Sequence, residues 1–507
     1  MAKGIKYSGN ILWLAALACI ALLVFPYIFN EKPDMNGDNC YYYAFASSLA
    51  AGEGFSDMFG NPTSHFPPGY PLLMAPLRVI TDSIVAQKIL NLLFLFVGTI
   101  LLFGTLVREG IRKEVAFLSC MAVLLTPHLL EFSTMMMSEA SCFCCFALIF
   151  WLYGRIPNED NKTLWHSPYM YAFIVALAYA YLIRTQAAVI FAAFFLALLV
   201  LRRRRLLLVA VVSFVVVYLL WSWRNKALGL GASRYMSQID FSNIAETMKM
   251  LVVQAVPESI IPFVNVDYNV TPGVGLWIYS ILLMAVIITG VYRMQRLFLP
   301  MILFLFGTFV SVSIINTPSQ YRYIVTILPF LTAALFTGLW SIMGYCTTKL
   351  MKRNISPWLL LMLFVPLLWQ GDGSYDKRTL NGLNKASKAS FPPQFRNFVA
   401  IGRSLYKHDK DAIVATRKPE LLYINSGVRA KRFVETDDDV KLISNLLKEN
   451  IDYVIIEQLG FAATVRYLWP CVQRHPDLFA NVLHIPNPDT LLFFFNKKAA
   501  SEWLQKQ

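Results

Sequence analysis

The sequence predicts a helical polytopic membrane protein that ends in a small α/β domain. Three observations carry that expectation. Of 507 residues, 57% are hydrophobic and only 15% are charged, against roughly 25% charged in ordinary soluble domains. Apolar runs of about 20 residues, the length of a transmembrane helix, recur through the first three quarters of the chain. Basic residues crowd every second connector between those runs, which is how cytoplasmic loops are marked.

The apolar runs place spans at 11–29, 84–106, 115–130, 137–153, 169–183, 187–201, 206–223, 274–291, 298–315, 322–345 and 356–370, about eleven crossings. The first follows Lys3 and Lys6 without a small-residue cleavage site, so it reads as a retained helix. The other basic connectors hold Arg108, Arg112 and Lys113; Arg155 and Lys162; Arg202 to Arg205; Arg293 and Arg296; and Lys349, Lys352 and Arg353. With the N-terminus inside, an odd number of crossings places the tail outside. The formal charge of +14 is then largely topological, and nucleic acid is not an expected partner.

Three outer segments are long: 30–83, 224–273 and the tail. The expected division is a membrane domain over 1–370 and an extracytoplasmic domain over 371–507. Gly371-Asp372-Gly373-Ser374 and Phe391-Pro392-Pro393 punctuate the start of the tail. Strand-like runs follow at Ala412–Ala415, Tyr453–Ile456 and Leu491–Phe495, with helical patterns at Phe395–Tyr406 and Val440–Asn450. Asp437, Asp438 and Asp439 suit the N-terminus of the second helix.

Six of the eight cysteines fall within spans or, for Cys346, at a span's edge, and Cys142, Cys144 and Cys145 read as small packing residues. Cys40 and Cys471 are the two on the oxidising side, and could pair.

The first outer segment concentrates the chemistry. Asp38 reads either as a helix N-cap or as a general base at the membrane surface; Tyr41 stands where a capping box would need Glu or Gln. His65 opens the rigid turn Phe66-Pro67-Pro68-Gly69-Tyr70-Pro71 and suits a phosphate or ligand contact; with a carboxylate such as Glu139 it could hold a divalent ion. Glu139 begins the fourth span, where an acidic group either lines a cavity or answers the helix dipole. Arg184, Arg224 and Arg322 lie at outer span ends, against the positive-inside trend, and their planar forks suit a phosphate. Tyr42, Tyr70 and Tyr321 belong to an interfacial aromatic belt from which one or two rings could stack on a sugar.

Taken in order, the Asp-bearing first loop, the His65-Phe66-Pro67-Pro68-Gly69-Tyr70-Pro71 return, Ser138-Glu139, Leu182-Ile183-Arg184, Trp221-Ser222-Trp223-Arg224-Asn225 and Tyr321 to Pro329 resemble the GT-C glycosyltransferases. The nearest branch is the bacterial group similar to protein O-mannosyltransferases and the aminoarabinose transferase of lipid A. The resemblance spans roughly residues 8–370. It implies a polyprenyl-phosphate-linked sugar donor of the undecaprenyl type, a lipid, glycan or protein acceptor in the cell envelope, and an inverting displacement outside the bacterial cytoplasmic membrane. It implies Asp38 as the base, Arg184 and Arg322 on the phosphate, Glu139 on the floor of the site, and His65 at a donor or metal position. Mannosyltransferases carry Asp-Glu in the first loop, and Asp38-Asn39 departs from that pair, which leaves the acceptor open. Two alternatives remain: an O-antigen polymerase or ligase, whose chemistry would sit in a late outer loop, and a transporter, which would place charges near the bilayer midplane.

Overall fold

The computed structural model describes residues 10–32, 37–157, 164–230, 239–261, 264, 266–315, 320–350, 355–365 and 379–507. The side chain of Tyr321, the Gly371–Ser374 linker and the end of the expected 356–370 span lie outside them. The chain forms two compact units, Met1–Lys32 with Thr63–Lys388, and Pro33–Pro62 with Ala389–Gln507. The expected division at residue 370 therefore differs in two respects: the Asp38 segment folds into the unit formed by the tail, and the helix Leu380–Lys388 stays with the first unit.

In the first unit, among the described residues, Ile11–Ile28, Ile84–Arg108, Arg204–Ala227, Val274–Arg293 and Leu328–Lys349 are long and apolar enough to cross a membrane. Shorter apolar helices occupy other expected spans at Glu139–Tyr153, Pro168–Ile183, Ala188–Val200 and Phe298–Ser313. At 1.5 Å per residue a 16-residue helix reaches only about 24 Å, short of a full hydrocarbon core near 30 Å. The 115–130 span is broken. Lys113–Leu125 bends by 59° into Pro127–Ser133, because Pro127 forces Thr126 into an extended conformation and then starts a new helix at its first position. Pro357–Phe364 is a 3₁₀ helix.

Close helix contact depends on glycine where Val274–Arg293 meets Leu328–Leu350. A Cβ on Gly290 would lie 1.8 Å from the Ala334 carbonyl oxygen, and one on Gly338 would lie 2.0 Å from that of Val286. Neither backbone can yield cheaply, since small residues let membrane helices approach this closely. Gly290→Leu should therefore lower the melting temperature in detergent by the equivalent of several kcal/mol, at or above the ~1–3 kcal/mol typical of overpacking. Gly344→Leu, at a position with nothing within 4 Å of its Cβ, should leave melting unchanged.

The second unit is built on a five-stranded sheet of order β2-β1-β3-β5-β4. The strands are β1 Ile413–Ala415, β2 Arg429–Lys431, β3 Tyr453–Ile456, β4 Phe479–Ile485 and β5 Thr490–Phe495. β2, β1 and β3 are parallel, whereas β5 runs antiparallel to β3 and to β4. Alternate residues feed two cores, as a strand's pleat requires. Val414, Ile455 and Leu492 pack with Phe398 and Leu405; Ala415, Val454 and Phe493 pack with Leu442 and Leu446. Cys40 belongs to the first core and Cys471 to the second, both as free thiols. The disulfide left open by the sequence is thus not formed, because the sheet separates its partners. Of the acidic trio, Asp438 caps the Asp439–Lys448 helix by accepting a hydrogen bond from the Lys441 amide at 3.2 Å.

Candidate active site

The first unit brings three of the expected residues together. One oxygen of Glu139, Oε1, lies 2.8 Å from Arg184 Nη1 and 2.6 Å from Arg322 Nε. The carboxylate is completely buried, and the arginine side chains are only 8% and 15% exposed. Arg184 Nη1 also donates to Ser138 Oγ at 3.1 Å, and its guanidinium stands 5.5 Å from the centre of the Tyr323 ring. The second oxygen, Oε2, has no hydrogen-bond partner among the described residues.

Local structure explains the cluster. Glu139 occupies the first turn of Glu139–Tyr153, where the helix dipole favours a carboxylate. Arg184 is the extended residue that ends Pro168–Ile183, and Arg322 rides on the short helix Gln320–Ile324. Asn91, fully buried on the Ile84–Arg108 helix, holds the approach to Glu139 by donating to the carbonyls of Met135 and, at 2.9 Å, Met137. Tyr70 donates to Asn91 Oδ1 at 2.9 Å. Gly69 presses on the segment before Arg184: a Cβ there would sit 2.5 Å from the Leu182 carbonyl carbon, while Tyr179 donates to the Gly69 carbonyl at 2.8 Å. The Pro-Pro-Gly-Tyr-Pro turn is therefore a brace for the cluster.

Other expected residues sit differently. Tyr70 is fully buried and Tyr42 is 3% exposed, so both rings are packed within the protein and offer no face for a sugar. Arg224 donates to the Thr63 carbonyl at 2.7 Å and to Asn225 Oδ1 at 2.9 Å. Its guanidinium thus supports the turn in which the His65 amide donates to Thr63 Oγ1 at 3.1 Å. The His65 ring meets Phe66 edge-on. A divalent ion on His65 and Glu139 fits poorly, since the two guanidinium cations already on the Glu139 carboxylate would repel it. Among the described residues, the one group of three or more metal-ligand side chains is Asp439, Cys471 and His475.

Sequence reasoning missed Lys88. It is fully buried and donates to the carbonyls of Asn30, at 3.0 Å, and Lys32, tying the end of Ile11–Ile28 to Ile84–Arg108. Its signal was available, since a cation inside an apolar run is costly and needs partners.

In the second unit, Asp38 lies half-buried in the first turn of Gly37–Ala50. Gly37 before it is already helical, so Asp38 lies within the helix, where an N-cap residue would stand outside it. One turn later, Tyr41 hydrogen-bonds to the Glu420 carboxylate, on the Pro419–Ser426 helix. Burial, then Glu420 and to a lesser degree Asp38, push the Tyr41 phenol far above its ordinary range. Burial likewise raises the Glu420 carboxyl, opposed by its bond to Tyr41 and by Lys418 and Arg432. The sequence did not signal this pair.

No family model and no curated protein matches the chain. Solved structures do. The apo structure of ArnT from Cupriavidus metallidurans superposes with a TM-score of 0.61 at 12% identity, over 97% of this chain and 99% of that one. The chain has the GT-C fold. ArnT bound to undecaprenyl phosphate gives a TM-score of 0.59 at 12% identity, covering 95% and 98% of the two chains. The archaeal oligosaccharyltransferase AglB from Archaeoglobus fulgidus, in complex with an inhibitory peptide and a dolichol-phosphate, also gives 0.59 at 12% identity, covering 97% of this chain and 75% of its own. Agreement over nearly the whole length confirms the expected architecture of an integral membrane helical bundle with an appended α/β domain.

Proposed function

We propose that this GT-C protein is an inverting glycosyltransferase that moves a sugar from a polyprenyl-phosphate carrier to a cell-envelope acceptor. The site and tail would lie outside the cytoplasmic membrane. The buried Arg184–Glu139–Arg322 cluster is the observation that carries this reading. Two guanidiniums around one carboxylate leave the trio with a formal net positive charge. Such a cluster in a low-dielectric setting is suited to the charge that develops on a departing phosphate. The carriers bound in the ArnT and AglB structures support the same donor class.

The chemistry balances without a further reactant. Asp38 takes the proton of an acceptor hydroxyl as its oxygen bonds to the sugar's anomeric carbon. The bond from that carbon to phosphate oxygen breaks, and its electron pair leaves with polyprenyl phosphate. Arg184 and Arg322 stabilise that leaving group, while Arg224 and His65 shape the neighbouring turn. Purified protein incubated with undecaprenyl-phosphate-linked hexoses and pentoses, together with extracted envelope lipid, glycan and protein acceptors, should release undecaprenyl phosphate from at least one donor. Folded protein that binds undecaprenyl phosphate but turns over no member of the panel would count against the reading.

A further inference from the structure

The second unit carries a cluster that glycosyl transfer does not use. Cys471 and His475 stand one helical turn apart at the end of Trp469–Arg474, so their side chains share a face. Asp439 comes from the first turn of a different helix, Asp439–Lys448. A carboxylate oxygen, the Cys471 sulfur and a His475 ring nitrogen lie within 4.8 Å of one another. From these three donors we infer a zinc-class metal site that clamps the two helices together.

The donor set selects the ion. Thiolate, imidazole and carboxylate together suit Zn²⁺ and its Co²⁺ and Cd²⁺ surrogates, while Mg²⁺ and Ca²⁺ prefer oxygen alone. Metal–donor bonds of about 2.0–2.3 Å place tetrahedral ligands roughly 3.3–3.8 Å apart. His475 Nε2 is already 2.9 Å from Asp439 Oδ2, so side-chain shifts of about an ångström would close the site. The fourth position can be water, because Asp439 and His475 remain 18% and 17% exposed.

The surroundings are ordered as a ligand's outer partners are. Arg474 donates to both Asp439 oxygens, at 2.8 and 2.6 Å, and orients the carboxylate. The Trp503 ring packs edge-on against the imidazole at 4.7 Å. Cys471 is fully buried in the apolar core and aims its thiol at the same carboxylate. An Arg474–Asp439 ion pair alone would account for neither the thiol nor the imidazole. On binding, the metal–sulfur bond replaces the S–H bond and the proton leaves to solvent. Because the ligands must be deprotonated to bind, ion uptake should weaken as pH falls.

The test is a Co²⁺ titration of the full-length protein in detergent, with zinc content measured on the protein as purified. Wild type should bind one equivalent with a thiolate-to-cobalt charge-transfer band. Cys471→Ser should lose the band, and His475→Gln, which keeps the thiol, should lower affinity by about 100-fold or more. Absence of both the band and tight zinc in folded wild type would overturn the site. So would a band that survives in Cys471→Ser, since it would belong to another cysteine. If Cys471→Ser does not fold, His475→Gln decides: affinity equal to wild type rejects the site.

Discussion

Asp38→Asn should remove sugar transfer and leave folded protein in the membrane. The substitution separates the two roles the sequence allows for this residue. Asn is as good a helix-start residue as Asp, so a structural Asp38 would be replaced at little cost. A general base would not: the carboxamide keeps the shape but cannot take the acceptor's proton. Loss of such a base lowers kcat by about 10²- to 10⁴-fold, which is roughly 3–5 kcal/mol of barrier. Placement inside the first turn of Gly37–Ala50 already weakens the capping role. Carrier release with a saturating donor is the measurement. A kcat within twofold of wild type, at unchanged melting temperature, would remove Asp38 as the base.

The bundle was legible because apolar length is written locally, and the spans at 11–29, 84–106, 206–223 and 274–291 emerge with nearly their expected ends. Charges at span ends also spoke plainly, since burying Glu139, Arg184 or Arg322 alone would be too costly; together they make one cluster. What stayed hidden depends on contacts distant in sequence. The Asp38 helix joins the tail because Cys40 packs with Phe395 and Phe398, some 350 residues away, and no local pattern records that. Tyr70 looked like a sugar platform because its partner Asn91 lies in a predominantly apolar run. The fate of Cys40 and Cys471 rested on which face of the sheet each one meets. Pro127, by contrast, was a visible break overridden by the apolar length around it.

Glu139→Ala should be the most destabilising change in the candidate site. It deletes the carboxylate shared by two guanidiniums that are 8% and 15% exposed, leaving like charges buried beside each other. Removing one partner from a buried pair typically costs about 3–5 kcal/mol, and thermal melting in detergent should show the loss. Adding Arg184→Leu to Glu139→Ala should recover part of it, because the remaining repulsion goes with the second cation; strict additivity of the two losses would mean that the residues do not act as a unit. The same variant probes the proposed leaving-group site. A ligand stabilises the folded state in proportion to RT ln(1 + [L]/Kd), so an anion able to stand in for the missing carboxylate should help Glu139→Ala more than wild type. If Arg184 and Arg322 hold the carrier phosphate, undecaprenyl phosphate should raise the melting temperature of Glu139→Ala more than that of wild type. An equal shift in both proteins would place the phosphate elsewhere and leave the trio as a structural clasp.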